Sequence, residues 1–157
     1  MSGTRISDIC NYRLVDARLA AAGQPTAAQL AAAAHEGFEV IINLALHDDP
    51  RYSLRDEAGQ VRSLGMEYVH IPVQFDAPSE NDLLAFFAAL EKHRDQKVLV
   101  HCMANMRVTA FLGLYQAIKQ DKSDEEAFAL MKTVWQPNAV WSSFIAAMLA
   151  KHRRAPG

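Results

Sequence analysis

Cys102 and Arg107 are the residues whose types and spacing in this chain suggest chemistry. Four residues separate them, Met103, Ala104, Asn105 and Met106. The run before the cysteine, Val98-Leu99-Val100-His101, reads as a buried strand. The run after Arg107 has helical spacing, so the thiol stands at a strand's carboxyl end and the guanidinium on the first turn of a helix. Ligands gather at that edge in open parallel sheets. Four residues leave room only for a tight turn, whose backbone amides form an anion nest reinforced by the positive end of the helix. Arg107 can fold its fork over the mouth and pair with two oxygens of a phosphate, which a lysine cannot match. The same field favours a thiolate, since helix N-termini and nearby cations bring cysteine pKa values from ~8.5 to between ~3.5 and ~7.5. Cys102 is therefore a candidate nucleophile. A buried strand-end cysteine followed by a surface arginine would satisfy the spacing equally well.

The elements that must position this pair are legible in outline. Short strands are expected at 19–22, 39–44, 67–71 and 97–101, the third stopped by Pro72. Helices are expected at 27–36, capped by Thr26 and closed by Gly37, at 54–64, ended by Gly65, and at 79–93, capped by Ser79. Three more follow at 107–119, 123–134 and 138–152. Strands separated by helices imply an α/β fold with a mainly parallel central sheet of about four to five strands and helices on both faces. No linker or repeat interrupts the pattern, so one domain is expected, with its core at about 12–150.

Bulk properties exclude several classes. The chain has 157 residues, half of them hydrophobic and 22% charged, with a net charge of -2. That suits a globular domain and not a nucleic-acid footprint. The one basic cluster, Lys151-His152-Arg153-Arg154, reads as a solvated helix end. No apolar run reaches the roughly 18 residues of a membrane span, and no leader shows at the front, so a cytoplasmic location is expected. Two distant cysteines, Cys10 and Cys102, make neither a disulfide framework nor a metal site. No cofactor is expected, and Cys10 reads as a bystander.

Val98-Leu99-Val100-His101-Cys102 followed by Arg107 resembles the signature of protein tyrosine and dual-specificity phosphatases. Ala22-Gly23-Gln24-Pro25-Thr26, Val40-Ile41-Ile42-Asn43-Leu44 and Tyr68-Val69-His70-Ile71-Pro72-Val73 extend the resemblance to a bacterial group. That group is related to the phosphatase-like domain of beta-lactamase hydrolase-like proteins, and the similarity covers about 12–145. It implies that Cys102 attacks phosphorus to give a phosphocysteine, that Arg107 holds the equatorial oxygens, and that residues 103–106 line the phosphate. It implies a general acid after the strand ending near Val73, for which Asp76 is the first choice. Glu80 and Asp82 are substitutes, and Asp48 and Asp49 weaker rivals. It also makes His101 an organiser of the loop and Thr109 the hydroxyl that stabilises the leaving thiolate. The chain departs from the family in having four loop residues instead of five and no glycine among them. Asn105 would then have to supply the positive φ, and its side-chain amide could replace the missing backbone donor.

The remaining aromatic and imidazole groups read as structural. His70 is expected as a satisfied core histidine, Trp135, Pro137 and Trp141 as packing residues, and His47 as a possible pocket wall. The expected partner is a phosphorylated protein or a small phosphorylated metabolite. Two other readings compete. A rhodanese-like sulfurtransferase has a loop of this shorter kind, and an inactive phosphate-binding module would keep the cradle without turnover.

Overall fold

The computed structural model describes residues 4–46 and 53–153. A sheet of five strands is ordered β1-β2-β5-β3-β4. These are β1 Arg13–Leu14, β2 Leu19–Ala22, β3 Val40–Asn43, β4 Glu67–His70 and β5 Val98–His101. β2, β5, β3 and β4 run parallel, and β1 alone is antiparallel, paired with β2. The helices are α1 Ala27–His35, α2 Glu57–Ser63, α3 Glu80–Lys92, α4 Met106–Lys119, α5 Asp124–Ala127, α6 Ala129–Lys132 and α7 Ala139–His152. The fold is α/β, with helices on both faces of a mostly parallel sheet.

Alternation along the strands sorts the two faces. Val98 and Val100 of β5, with Ala21, Val40 and Ile42, pack against the apolar sides of α3, α4 and α7. Leu99, Ala20, Ala22 and Ile41 face Leu30 and Ala33 of α1 and Val61 of α2. Trp141, Phe86 and Phe111 are fully buried on the first face. Each such side chain stabilises the fold by about 1.5–3 kcal/mol through burial. β5 lies at the centre of the sheet with a parallel neighbour on each side, so its carboxyl end opens between β2 and β3.

Several expectations are corrected. β1 was not anticipated: two residues, with Leu14 60% exposed, carry no alternating pattern, and only pairing with β2 makes them a strand. The helix expected at 54–64 begins at Glu57, because Asp56 takes a left-handed conformation (φ 50°) and its side chain caps the Gly59 amide. The helix expected at 123–134 is broken at Phe128 into α5 and α6. The Phe128 ring lies over Gly113, where any side chain would collide with it. His70 is not a core residue: it is exposed on edge strand β4, although its Nε2 lies 2.7 Å from the Ala45 carbonyl. The basic tail is not simply solvated, since Lys151 and His152 both pair with Glu80 of α3, and Arg153 pairs with Asp124. His47, Asp48, Asp49 and Arg154 lie outside the described residues.

Candidate active site

Cys102 follows β5 directly and its side chain is almost wholly buried, at 1% exposure. Its amide donates to Ala22 of β2 at 3.3 Å, which continues the sheet by one residue. The turn to α4 is then made by Asn105, whose φ of 66° and ψ of 12° put it in the left-handed region. Asparagine tolerates that conformation better than most side chains. The expected substitute for the missing glycine is therefore the one the loop uses. The second expectation for Asn105 is corrected: its Nδ2 donates to the Asn11 carbonyl at 2.8 Å, on the outside of the loop.

The four loop carbonyls each meet a group outside the cradle. The Cys102 oxygen lies 3.3 Å from His101 Nδ1. Met103 accepts from the Gln24 amide at 3.0 Å. Ala104 accepts from Asn11 Nδ2 at 3.0 Å, and Asn105 from Thr109 Oγ1 at 2.7 Å. In a trans peptide the carbonyl and the following N–H point in opposite directions. Turning these carbonyls away directs the next amides the other way, and those of Met103, Ala104 and Met106 have no acceptor among the described residues. The result is a small nest of donors beside the thiol, at the start of a 14-residue helix.

Arg107, on the first turn of α4, is 94% buried (6% exposed). One guanidinium nitrogen donates to the Val73 carbonyl at 2.9 Å, and the group lies 5.9 Å from the centre of the Phe75 ring. Its Nε is buried without an acceptor among the described residues. Thr109 is committed elsewhere than expected. Its hydroxyl proton serves the carbonyls of Asn105 and Met106, so it fastens the helix start to the loop.

Asp76 sits in the turn Gln74–Ala77 that follows β4, exposed and without a side-chain partner among the described residues. The segment leading into it is held at two points. Arg107 grips Val73, and Trp141 Nε1 donates to the Phe75 carbonyl at 2.8 Å. Phe75 also packs against both Trp135 and Trp141, so these tryptophans do more than fill the core. Glu80 fits the acid role poorly. Hydrogen bonds from Lys151 and His152 hold its carboxyl below the usual range, which keeps it ionised. Asp82 lies in the first turn of α3, where its amide is capped by Ser79.

Sequence reasoning missed Glu57, Gln24, Asn11 and Phe75. Gln24 lies inside the Ala22-Gly23-Gln24-Pro25-Thr26 motif, which gives its position but not its role. Nothing about Glu57 or Asn11 distinguishes them from surface polar residues until long-range contacts are known. No cluster of three or more potential metal ligands occurs among the described residues, and no helix among them is long and apolar enough to cross a membrane.

A parallel sheet with a strand, cysteine, tight loop and arginine-bearing helix at its centre defines the cysteine-phosphatase class of fold. Residues 11–119 match the family described as beta-lactamase hydrolase-like protein, phosphatase-like domain. The chain belongs to that family. A beta-lactamase hydrolase-like protein of Xylella fastidiosa (strain Temecula1 / ATCC 700964) is 30% identical over 118 residues, covering 74% of this chain. The chain spans only 27% of that relative's length. A candidate phosphatase of the DUF442 group from Shewanella putrefaciens CN-32 is similar across 95% of this chain and 97% of its own, with 30% identity and a TM-score of 0.84. Tk-PTP in its active form shares the fold at 24% identity and a TM-score of 0.72, across 90% of this chain and 95% of its own.

Proposed function

We propose that this domain is a cysteine-dependent phosphatase that hydrolyses phosphate monoesters through a phosphocysteine. The observation that carries the reading is the cradle: outward-turned carbonyls, inward amides, a thiol at the base and a buried arginine whose Nε has no acceptor among the described residues. A phosphoryl group offers the oxygens that such donors need.

The Cys102 thiolate attacks phosphorus, forming the S–P bond as the P–O bond to the leaving group breaks. The backbone amides of Met103, Ala104 and Met106 and the Arg107 fork bind the equatorial oxygens as charge redistributes. The leaving oxygen takes a proton from the Asp76 carboxyl. A water then attacks the phosphocysteine and gives a proton back to Asp76, and the S–P bond breaks to release phosphate and regenerate the thiolate. The phosphorylated substrate, whether protein or small metabolite, is met at the carboxyl edge of the sheet. The cytoplasm is the compartment in which we place this reaction.

An activated aryl phosphate tests the reading. Turnover that releases phosphate, abolished by Cys102→Ser, supports it. Sulfur transfer from thiosulfate to cyanide, or phosphate binding with no turnover, would replace it with the sulfurtransferase or the inactive module.

A further inference from the structure

A layer of polar groups lies behind the loop, on the sheet face covered by α1 and α2. Strand alternation puts His101 on that face, beside Leu99, and α2 brings Glu57 to meet it. Both side chains are fully buried, and His101 Nε2 lies 2.7 Å from Glu57 Oε2. The other ring nitrogen, Nδ1, is the one 3.3 Å from the Cys102 carbonyl. The second carboxylate oxygen of Glu57 accepts from Gln24 Nε2 at 2.7 Å. The backbone amide of that same Gln24 donates to Met103. The chain Gln24–Glu57–His101 thus begins and ends on adjacent carbonyls of the loop.

Packing alone does not account for Glu57. A buried carboxylate is costly, and an apolar residue of similar volume commonly serves stability as well or better. Here the carboxylate has a particular effect on the imidazole. The carbonyl oxygen can only accept, so the ring donates to it from Nδ1. Glu57 holds the opposite ring nitrogen and fixes which way the ring turns. Tyr68 of β4 is a further partner: its phenol accepts from Asn43 and bonds to Glu57.

We propose that Glu57 is a positioning residue for the anion cradle, acting through His101 to keep the Cys102 carbonyl turned outward. With that peptide fixed, the Met103 amide faces the bound anion. Gln24 holds the carboxylate in place and the adjoining peptide as well. Four loop residues without a glycine leave little else to set these peptide planes, so a support from outside the loop takes on that role. The inference rests on the phosphatase reading only for the identity of the anion.

Protection of Cys102 from iodoacetamide by inorganic phosphate tests it without requiring turnover, with the Cys10 rate as internal control. Glu57→Gln should weaken apparent phosphate affinity about tenfold, and Gln24→Met about threefold, in the way supporting residues of a site act through the groups they orient. Circular dichroism should be unchanged, and kcat on an aryl phosphate should fall more than KM rises. In the unaltered protein, nitrogen-15 NMR should show a proton on Nδ1 of His101, a readout that needs no variant to fold. Folded Glu57→Gln with phosphate affinity within twofold of the parent would overturn the proposal, as would an Nδ1 of His101 that carries no proton. If phosphate fails to protect Cys102 even in the parent, the phosphatase reading falls, while the NMR result still decides whether Glu57 fixes the ring.

Discussion

Arg107 donates to the carbonyl of Val73 at 2.9 Å, so the helix that follows the thiol is tied to the segment that carries Asp76. One residue thereby serves both halves of the proposed reaction, the oxyanion cradle and the acid loop. Arg107→Lys keeps the charge but loses the planar fork and the second set of donors. Turnover of an aryl phosphate should fall by about 10²- to 10³-fold, the usual cost of losing an oxyanion donor. Circular dichroism should stay native. A rate within a factor of three of the parent would mean that Arg107 does not hold the transferring group.

Cys102 and Cys10 make opposite demands on reactivity. Cys10 is exposed and Cys102 is buried, so access alone predicts faster alkylation of Cys10. The nest of amides and the helix start predict the reverse, because the thiolate is the reacting form. Mass spectrometry after brief iodoacetamide treatment at pH 6 should find the label on Cys102, and phosphate should suppress it. Label on Cys10 first, indifferent to phosphate, would sink the nucleophile assignment.

For Asp76 the decisive measurement is leaving-group dependence. A general acid matters most when the departing oxygen is a poor leaving group. Asp76→Asn should therefore lose far more activity on phenyl phosphate than on an activated nitrophenyl phosphate. Equal losses on both would make Asp76 a structural turn residue, and no loss would move the acid role to Asp82.

Much of this architecture could be read before any coordinates. The five-residue run into Cys102 and the helical run after Arg107 are local signals, strong because burial and periodicity agree there. Asn105 could be named as the residue with positive φ because its chemistry is local too. What the residues alone do not show depends on contacts between segments. The Glu57–His101 pair and the break at Phe128 arise only when elements well apart in sequence meet, while β1 pairs with the nearby β2 but lacks the length and alternation that mark a strand. Asp76 lies in the turn after β4, yet the anchors of that turn on Arg107 and Trp141 belong to helices far along the chain.

Glu80 ties α3 to α7 and gives the fold a pH signature of its own. Lys151 and His152 lower its carboxyl pKa in the folded state. A depressed carboxyl contributes stability above its unfolded value, about 4.3, and loses that contribution as pH falls through the folded value. Urea midpoints from pH 6 to pH 3 should therefore fall more steeply for the parent than for Glu80→Gln, with the two curves converging at the acid end. Parallel curves would mean that the pair at Glu80 does not hold in solution.

Gly23 follows β2 beside the loop, and a methyl group there would sit 2.6 Å from the Met103 carbonyl and 2.9 Å from that of Cys10. Both obstacles are backbone, and one of them is a wall of the cradle. A side chain at this position would press on the cradle through Met103 and on the amino-terminal segment through Cys10, while the two cores, to which Gly23 does not belong, keep their packing. Tolerance of folding and tolerance of activity therefore separate at Gly23. A screen for solubility or thermal resistance would pass variants that a screen for turnover rejects, and the gap between the two would map the cradle without a ligand.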